Sequence, residues 1–370
     1  MRAAIFVDQL FYRQPGGIGT YLRHLVPGLA GAADMDSLVL FHHGPEGARA
    51  FPGLDGAEEL RLPGRRDVTG VSWHVLDRPC LEKLVGQIDL AHTPSLVYTP
   101  SRAPLVATIH DLCVLKYPWA FPARWRAFHR RGLTLIVRRA RTILVDSLST
   151  CDDLRSLTGG HDPRVRVVPL GVDTPLDAGP GEVERVLEKY RLQPGYILFV
   201  GTIEPRKNLS RLVQAYAALD AEEKRGCGKL VLVGSPGWMG RRELSRILSQ
   251  DGVRWLGYLS REDLEAVYRG AKMFVYPSLY EGFGLPVLEA MARGLPVVTS
   301  NGSSLREVGE GVALLVDPGD VMELGKAIRR LAGDEDMRRE LARLGRERAA
   351  AYRWERTVEL TLEAYRETAR

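Results

Sequence analysis

Short apolar runs alternate with longer amphipathic segments along the whole chain. In the first half, runs rich in branched residues lie at 3–7, 37–43, 89–92, 104–110, 142–147 and 165–171. A second series follows at 196–202, 229–234, 253–259, 273–278, 296–300 and 313–317. Strand-length runs that alternate with helical segments are typical of parallel sheets in α/β proteins. The pattern therefore predicts two doubly wound, Rossmann-like domains.

The segment 171–182 separates the two series and is rich in glycine, proline and aspartate, as linkers are. It predicts a first domain over 1–172 and a second over 173–354. The charged C-terminal segment has a helical pattern, and we expect a helix at about 355–370 to pack back on the first domain. Two doubly wound domains facing each other across a cleft would bind ligands just after their strands.

Composition narrows the class of protein. The chain has 370 residues, of which 45% are hydrophobic and 26% are charged, which excludes a disordered, collagen-like or coiled-coil protein. The four cysteines lie far apart, which indicates reduced thiols in a cytoplasmic protein rather than a zinc site or disulfides. The sequence contains no cluster of histidine, cysteine and carboxylate residues with the spacing of metal ligands. We therefore expect no metal and no bound cofactor.

The net charge of +5 comes from the first half, where 21 basic residues face 16 acidic ones up to residue 172. The segment 122–141 has seven arginines, interleaved apolar residues and no acidic residue. Two interpretations stay open. The segment is either a helix that lies on an anionic membrane, in which case the protein is peripheral at the inner face of that membrane, or an ordinary helix with solvated arginines. No nucleic-acid-binding motif accompanies the basic charge, so nucleic acid is not expected as a partner.

Two loops after predicted strands suit phosphate. Gly16 and Gly17 follow the first strand and precede a helix, where glycines allow close backbone approach, although a simple turn is the alternative. Arg206 and Lys207 follow the strand at 196–202 and precede another helix. Two adjacent cations there suit a diphosphate, the alternative being a solvated pair.

His110, at the end of a strand, is either a functional proton donor or a structural histidine.

The most specific segment runs from Tyr280 to Ala292. Glu281 lies in a glycine-rich loop and Glu289 follows it after seven residues, near the start of a helix that Pro286 predicts. Carboxylates are good acceptors for the hydroxyls of a sugar. Because Lys207 and Glu281 lie in loops, we expect their truncation to impair turnover and to leave the core intact.

Together the PGGIGTY, EPRKN and EGFGLPVLEA segments and the His110–Asp111 pair resemble glycosyltransferases of family 4, which have the GT-B fold. The resemblance covers the whole chain. It implies transfer of a hexose from a nucleotide-diphosphate sugar, with retention of configuration and without a metal. The acceptor would be a glycan, a lipid-linked molecule or a small molecule. The motif combination looks most like bacterial polysaccharide transferases, many of which use GDP-mannose.

The resemblance also implies a role for each candidate residue. His110, Lys207 and Glu281 would act on the reacting groups, and Arg206 would share the diphosphate with Lys207. The remaining donor contacts would come from Gly16, Gly17, Gly257, Tyr258, Leu259, Gly282, Phe283, Gly284, Leu285 and Glu289. Many relatives have an arginine where this chain has Thr202, so Arg206 is the expected substitute.

Three other functions compete with transfer. An epimerase of the same fold would bind a nucleotide sugar without an acceptor. A nucleotide-sugar-binding protein without turnover would have no need of His110, Lys207 and Glu281 together. A dinucleotide-dependent oxidoreductase fits the alternating pattern, but its complete glycine fingerprint is missing.

Overall fold

A computed structural model of the chain describes residues 1–177, 179 and 181–370. The chain divides into two compact units, one formed by Met1–Gly171 with Arg353–Arg370 and the other by Val172–Tyr352. Residues 178 and 180 of the expected linker lie outside the described residues. The described residues of 171–181 form neither helix nor strand.

The first unit is built on a parallel sheet with the strand order β3-β2-β1-β4-β5-β6-β7. Its described strands are β1 Arg2–Phe6, β2 Ser37–His42, β3 Ala57–Arg61, β4 Leu90–Thr93, β5 Leu105–Ile109, β6 Thr142–Val145 and β7 Val165–Val167. Strands β4, β5 and β6 are buried along their whole length, as expected of a parallel sheet covered on both faces.

The helices of the first unit connect these strands. They are α1 Gly16–Ala30, α2 Arg66–Leu76, α3 Glu82–Val85, α4 Cys113–Lys116, α5 Ala123–Arg139 and α6 Leu148–Thr158, and α16 Trp354–Ala369 joins them from the end of the chain. Helix α16 belongs to this unit because Trp354 stacks on His24 with ring centroids 4.3 Å apart. At its other end, the Thr368 and Thr142 hydroxyls are hydrogen-bonded at 2.6 Å.

The second unit repeats the same plan with the strand order β10-β9-β8-β11-β12-β13. Its described strands are β8 Tyr196–Val200, β9 Leu230–Val233, β10 Val253–Trp255, β11 Ala271–Tyr276, β12 Val297–Ser300 and β13 Leu314–Val316. Its helices are α7 Glu182–Lys189, α8 Leu209–Ala217, α9 Ala221–Cys227, α10 Arg241–Leu248, α11 Arg261–Gly270, α12 Leu285–Ala292, α13 Ser303–Gly309, α14 Val321–Gly333 and α15 Glu335–Ala350.

The two doubly wound sheets confirm the predicted fold class, and all twelve predicted runs contain a strand. Strand β3 was not predicted, because its sequence AEELR is polar and half-exposed at the edge of the sheet. Because β3 is only partly buried, polar residues are favoured along it, and it lacks the apolar run that marks the buried strands. In the described part of the chain, no helix is long and apolar enough to cross a membrane.

Candidate functional site

The loop between β8 and α8 holds Arg206 and Lys207 in a fixed turn. A short 3-10 turn spans Pro205–Lys207, and Asn208 adopts a left-handed conformation with φ 61°. The Asn208 side-chain amide donates to the carbonyl oxygens of Pro277 at 3.0 Å and Pro318 at 2.7 Å. These bonds tie the turn to the neighbouring strand ends, so both cations are held at the carboxyl edge of the sheet.

Both cations are bonded to one carboxylate, that of Glu281. Lys207 Nζ donates to Glu281 Oε1 at 2.5 Å, and an Arg206 guanidinium nitrogen donates to Glu281 Oε2 at 2.6 Å. Lys207 Nζ also lies 2.5 Å from the Tyr276 hydroxyl. Arg206 Nε lies 2.5 Å from a carboxylate oxygen of Glu204. The structure therefore brings three of the predicted site residues into one charged cluster.

This cluster is buried. Lys207 is 5% exposed and Glu281 is 7% exposed. Burial and the adjacent Arg206 charge lower the pKa of Lys207. Burial favours the neutral form of Glu281, but the two cations outweigh it and lower its pKa to about 2. The expectation that truncation of Lys207 or Glu281 would leave the core intact does not fit this burial, because removing one partner leaves an uncompensated buried charge.

The loop around Glu281 is fixed by its backbone. The Glu281 N–H donates to the Ser303 hydroxyl at 3.2 Å, and the Ser304 hydroxyl donates to the Glu281 carbonyl at 2.9 Å. Gly284 precedes α12 with φ 103°, a conformation that only glycine adopts readily. The intervening Gly282–Leu285 backbone thus leads directly into the N-terminus of α12, where N–H groups favour an anion.

Glu289 lies on α12 in a different network. The Tyr268 hydroxyl donates to Glu289 at 3.2 Å, and burial raises the pKa of the Glu289 carboxyl. In the described structure, no hydrogen bond or ion pair links Glu289 to Arg206, Lys207 or Glu281. The two glutamates therefore have opposite electrostatic environments, because the pKa of Glu281 is lowered and that of Glu289 is raised.

The remaining candidates of the second unit lie in two other places. Gly257 has φ 74°, and its carbonyl accepts from Gly234 N at 2.8 Å, which places the turn at the carboxyl edge beyond β9 and β10. Tyr258 is 68% exposed while Leu259 is buried. Phe283 is buried and packs edge-on against Tyr352, with ring centroids 5.6 Å apart. Its backbone, not its ring, is therefore the part available to a ligand.

In the first unit, Gly16 and Gly17 form the exposed start of α1. Gly16 has φ 61°, which a side chain would strain, although the space around it is open. The side-chain amide of Gln9 donates to the Pro15 carbonyl at 2.9 Å and so fixes the preceding loop. The free N–H groups of a helix start are suited to a phosphate.

His110 follows β5 and is paired with a carboxylate that sequence analysis missed. Its Nδ1 lies 2.7 Å from a carboxylate oxygen of Asp146, the residue that follows β6. Burial lowers the pKa of His110, but the charge and hydrogen bond of Asp146, the Asp111 charge and the Pro94 backbone together outweigh it and raise the pKa overall. The Tyr21 ring and the imidazole form a T-shaped pair with ring centroids 4.9 Å apart. His110 Nε2 is buried and has no hydrogen-bond partner among the described residues.

Three residues of these sites were not singled out from the sequence, and each has a recognisable signal. Asp146 and Tyr276 are polar residues at the carboxyl ends of predicted strands, and Glu204 lies within the EPRKN segment. Strands β5 and β6 are neighbours, so the residues that follow them meet. The pairing of β5 with β6 depends on the strand order of the sheet, which cannot be predicted from the sequence pattern.

The described residues contain no group of three or more His, Cys, Asp or Glu that could hold a metal ion. Arg206 and Lys207 place two positive charges at the carboxyl edge of the second sheet, directly after β8. The chemistry that this cluster favours is binding of an anionic group, with carboxylates beside it that can accept hydroxyls.

Family models match both halves of the chain. "Glycosyl transferases group 1" matches residues 184–348, and "Glycosyltransferase Family 4" matches residues 15–175. The chain is 32% identical to the O-antigen chain mannosyltransferase B of Escherichia coli over 366 residues, which are 95% of this chain and 96% of that protein.

Solved structures show the same fold. The sucrose-phosphate synthase of Thermosynechococcus elongatus aligns with a TM-score of 0.78 at 24% identity, over 99% of this chain and 98% of that one. Anabaena HepE, in complex with UDP and glucose, aligns with a TM-score of 0.77 at 17% identity, over 99% and 100% of the two chains. The fold is the GT-B fold that the sequence motifs implied.

Proposed function

The chain is a member of glycosyltransferase family 4, and from this membership we propose that it is a retaining mannosyltransferase. It transfers mannose from a nucleotide-diphosphate sugar, with GDP as the nucleotide, to a growing glycan or a lipid-linked acceptor. The E. coli relative that aligns over nearly the full length of both chains is an O-antigen chain mannosyltransferase, which supports both the sugar and the polysaccharide acceptor.

The observation that supports the chemistry best is the buried Arg206–Lys207–Glu281 cluster. Departure of the sugar leaves negative charge on the diphosphate. Preorganised cations stabilise the transition state, in which this charge develops, more than they stabilise the ground state. Arg206 and Lys207 are held at the sheet edge by the Asn208 turn, so they need little reorganisation. In the proposed complex the diphosphate takes over contacts that Glu281 makes here, and the Glu281 carboxylate accepts hydroxyls of the sugar.

The proposed reaction is a substitution on one face of the sugar. The acceptor hydroxyl oxygen forms a bond to the anomeric carbon while the bond from that carbon to the phosphate oxygen breaks. The acceptor oxygen approaches the face from which the diphosphate leaves, so the configuration is retained. The hydroxyl proton goes to the departing diphosphate. His110, with Asp146 on its Nδ1, would donate from Nε2 to the sugar or the reacting region. Glu289 would hold the ribose.

Donor binding is tested by thermal unfolding with GDP, GDP-mannose, UDP and UDP-glucose. A ligand at 100 times its Kd adds about 2.7 kcal/mol to the stability of the folded state, so the melting temperature rises. We expect the largest rise with GDP-mannose, its loss in Lys207→Ala, and its retention in Lys326→Ala, whose lysine is exposed. No rise with any nucleotide would contradict donor binding.

Transfer is tested separately, by incubating the protein with labelled GDP-mannose and a mannose-terminated oligosaccharide. The expected product is an oligosaccharide lengthened by one mannose, with the same anomeric configuration as the donor, as determined by NMR. Conversion of the nucleotide sugar without an acceptor would favour an epimerase instead. Binding without any product would indicate a nucleotide-sugar-binding protein.

A further inference from the structure

Helix α2 presents a row of aliphatic side chains to solvent. Val68, Val71 and Val75 recur at helical spacing and are 61%, 54% and 66% exposed, and Leu76 extends the row at 65%. The buried residues of α2 lie on the other side of the helix. Contiguous exposed apolar surface of this kind marks an interaction site more often than isolated apolar residues do. We call these four residues the α2 stripe.

The helix beside the α2 stripe is rich in arginine. Helix α5 packs on α2 through Phe128, whose ring stacks on His74 at 4.1 Å, and Arg131 Nε donates to the His74 carbonyl at 2.9 Å. Because the two helices are neighbours, their solvent-facing sides adjoin. On α5 that side has Arg124, Arg130 and Arg138, all exposed. In the described structure none of these three arginines forms an ion pair.

From this juxtaposition we propose that α2 and α5 together form a docking surface for an anionic lipid bilayer. The α2 stripe inserts among the acyl chains near the headgroups, and the α5 arginines contact the lipid phosphates. This proposal concerns a partner of the first unit and does not depend on the sugar or nucleotide proposed above.

Charge complementarity favours an anionic bilayer over a second protein chain. The acidic residues of α2 and its end are neutralised within the surface, since Asp67 pairs with Arg65 at 2.8 Å and Asp77 with Arg139 at 3.2 Å. The unpaired charge that remains is positive, and it lies beside an apolar row. Apolar insertion combined with basic residues is the pairing of signals that gives stable attachment to anionic membranes.

The test is sedimentation of the full-length protein with phosphatidylcholine vesicles, with and without phosphatidylglycerol, at low and high salt. One variant combines Val68→Ser, Val71→Ser and Val75→Ser, which scarcely changes helix propensity. A second combines Arg124→Gln, Arg130→Gln and Arg138→Gln. Its matched control combines Arg241→Gln, Arg242→Gln and Arg246→Gln on α10, with the same loss of charge from exposed positions. Met322→Ser is the control for an exposed apolar residue.

We expect the wild type to sediment with anionic vesicles at low salt and much less at high salt. Each arginine that contacts the lipid phosphates raises the affinity for vesicles about fivefold, so the α5 variant, which lacks three, should bind roughly 100-fold more weakly. The valine variant should lose at least tenfold, because each valine that inserts gains the transfer energy of its side chain. Both controls should bind like the wild type.

Three outcomes would overturn the proposal. They are sedimentation that does not depend on vesicles, equal binding to neutral and anionic vesicles, and equal losses in the α5 variant and its α10 control. A fourth contrary outcome is self-association of the free protein that the valine substitutions abolish, as measured by sedimentation velocity. That result would assign the α2 stripe to a second copy of the chain. Circular dichroism of every variant checks that it is folded.

Discussion

The two units share the same order over six strands, and the first adds a seventh at its edge. The polar groups at the carboxyl edges of the two sheets nevertheless differ in the hydrogen bonds and charges that they leave unsatisfied. In the second unit, Arg206 and Lys207 are both bonded to Glu281 and the charges are matched inside the protein. In the first unit, His110 has one carboxylate on Nδ1 and nothing among the described residues on Nε2. A ligand anion in the second unit would therefore replace Glu281 as the partner of the two cations. A ligand in the first unit would instead add a hydrogen bond to His110 Nε2.

This difference has an energetic consequence. A ligand that enters the second site must compete with Glu281 for the buried Lys207 and the half-buried Arg206, so its own charge has to be large, as that of a diphosphate is. A ligand of the first site gains a bond to Nε2 without breaking one. The largest effects of substitution are accordingly expected in the second unit.

Replacing Lys207 with alanine should lower the turnover number by about 10²–10³-fold, the benchmark for removing one group that stabilises developing negative charge. The reason is that Lys207 Nζ is fixed in the cluster and would face the leaving diphosphate. Steady-state kinetics with saturating donor measures the effect. Lys326→Ala is the control, and circular dichroism verifies folding. A folded Lys207→Ala protein with the wild-type rate would exclude this role.

Replacing Glu281 with glutamine should change how stability depends on pH. The folded-state pKa of Glu281 is about 2, below its ordinary 4.5, so between these values the unfolded chain binds more protons. Its contribution of up to about 3 kcal/mol is complete above pH 5 and is lost as the pH falls towards 2.

Urea unfolding at several pH values between 7 and 3 measures this dependence. The variant should be less stable at pH 7, because the buried Lys207 loses the carboxylate it is paired with and Arg206 keeps, among the described residues, only the carboxylate of Glu204. Its stability should also fall less on acidification. Glu347→Gln, whose carboxylate is exposed on α15, is the control. Equal acid sensitivity in the Glu281 variant and the wild type would show that the carboxylate is not the titrating group.

Replacing Asp146 with asparagine should reduce turnover by about 10–100-fold, which corresponds to the 1.5–3 kcal/mol of a hydrogen bond to a charged group. Asp146 raises the pKa of His110, so its loss lowers that pKa. If the imidazolium is the active form, activity falls as the pH rises through the pKa of His110. The fall should therefore come at lower pH in the variant.

A pH–rate profile of Asp146→Asn beside Asp152→Asn tests this role. Asp152 is exposed on α6 and pairs only with a residue of its own helix among the described contacts, so its variant should match the wild type. A reduced rate with an unshifted profile would assign Asp146 a structural role alone.

How far the sequence predicts these sites also differs between the units. The second cluster comes from two contiguous motifs, so Arg206, Lys207 and Glu281 could be assigned together from spacing at strand ends. Asp146 was missed because its relation to His110 comes from the pairing of β5 with β6, not from proximity along the chain. The burial of Lys207 and Glu281 was not predicted either: both were placed in loops whose truncation would spare the core, yet their mutual neutralisation allows both to be buried. Strand order and charge compensation are tertiary properties, which a pattern of residue types does not specify.

The smallest expected effect concerns metal ions. If Arg206 and Lys207 supply the positive charge at the diphosphate, turnover should be unchanged by EDTA, because the cations are covalently part of the chain. The measurement is the transfer rate of extensively dialysed protein with and without EDTA, followed by addition of Mg²⁺ or Mn²⁺. A complete loss of transfer activity that either ion restores would mean that Arg206 and Lys207 do not supply enough positive charge for the diphosphate and that the second unit needs a metal ion beside them.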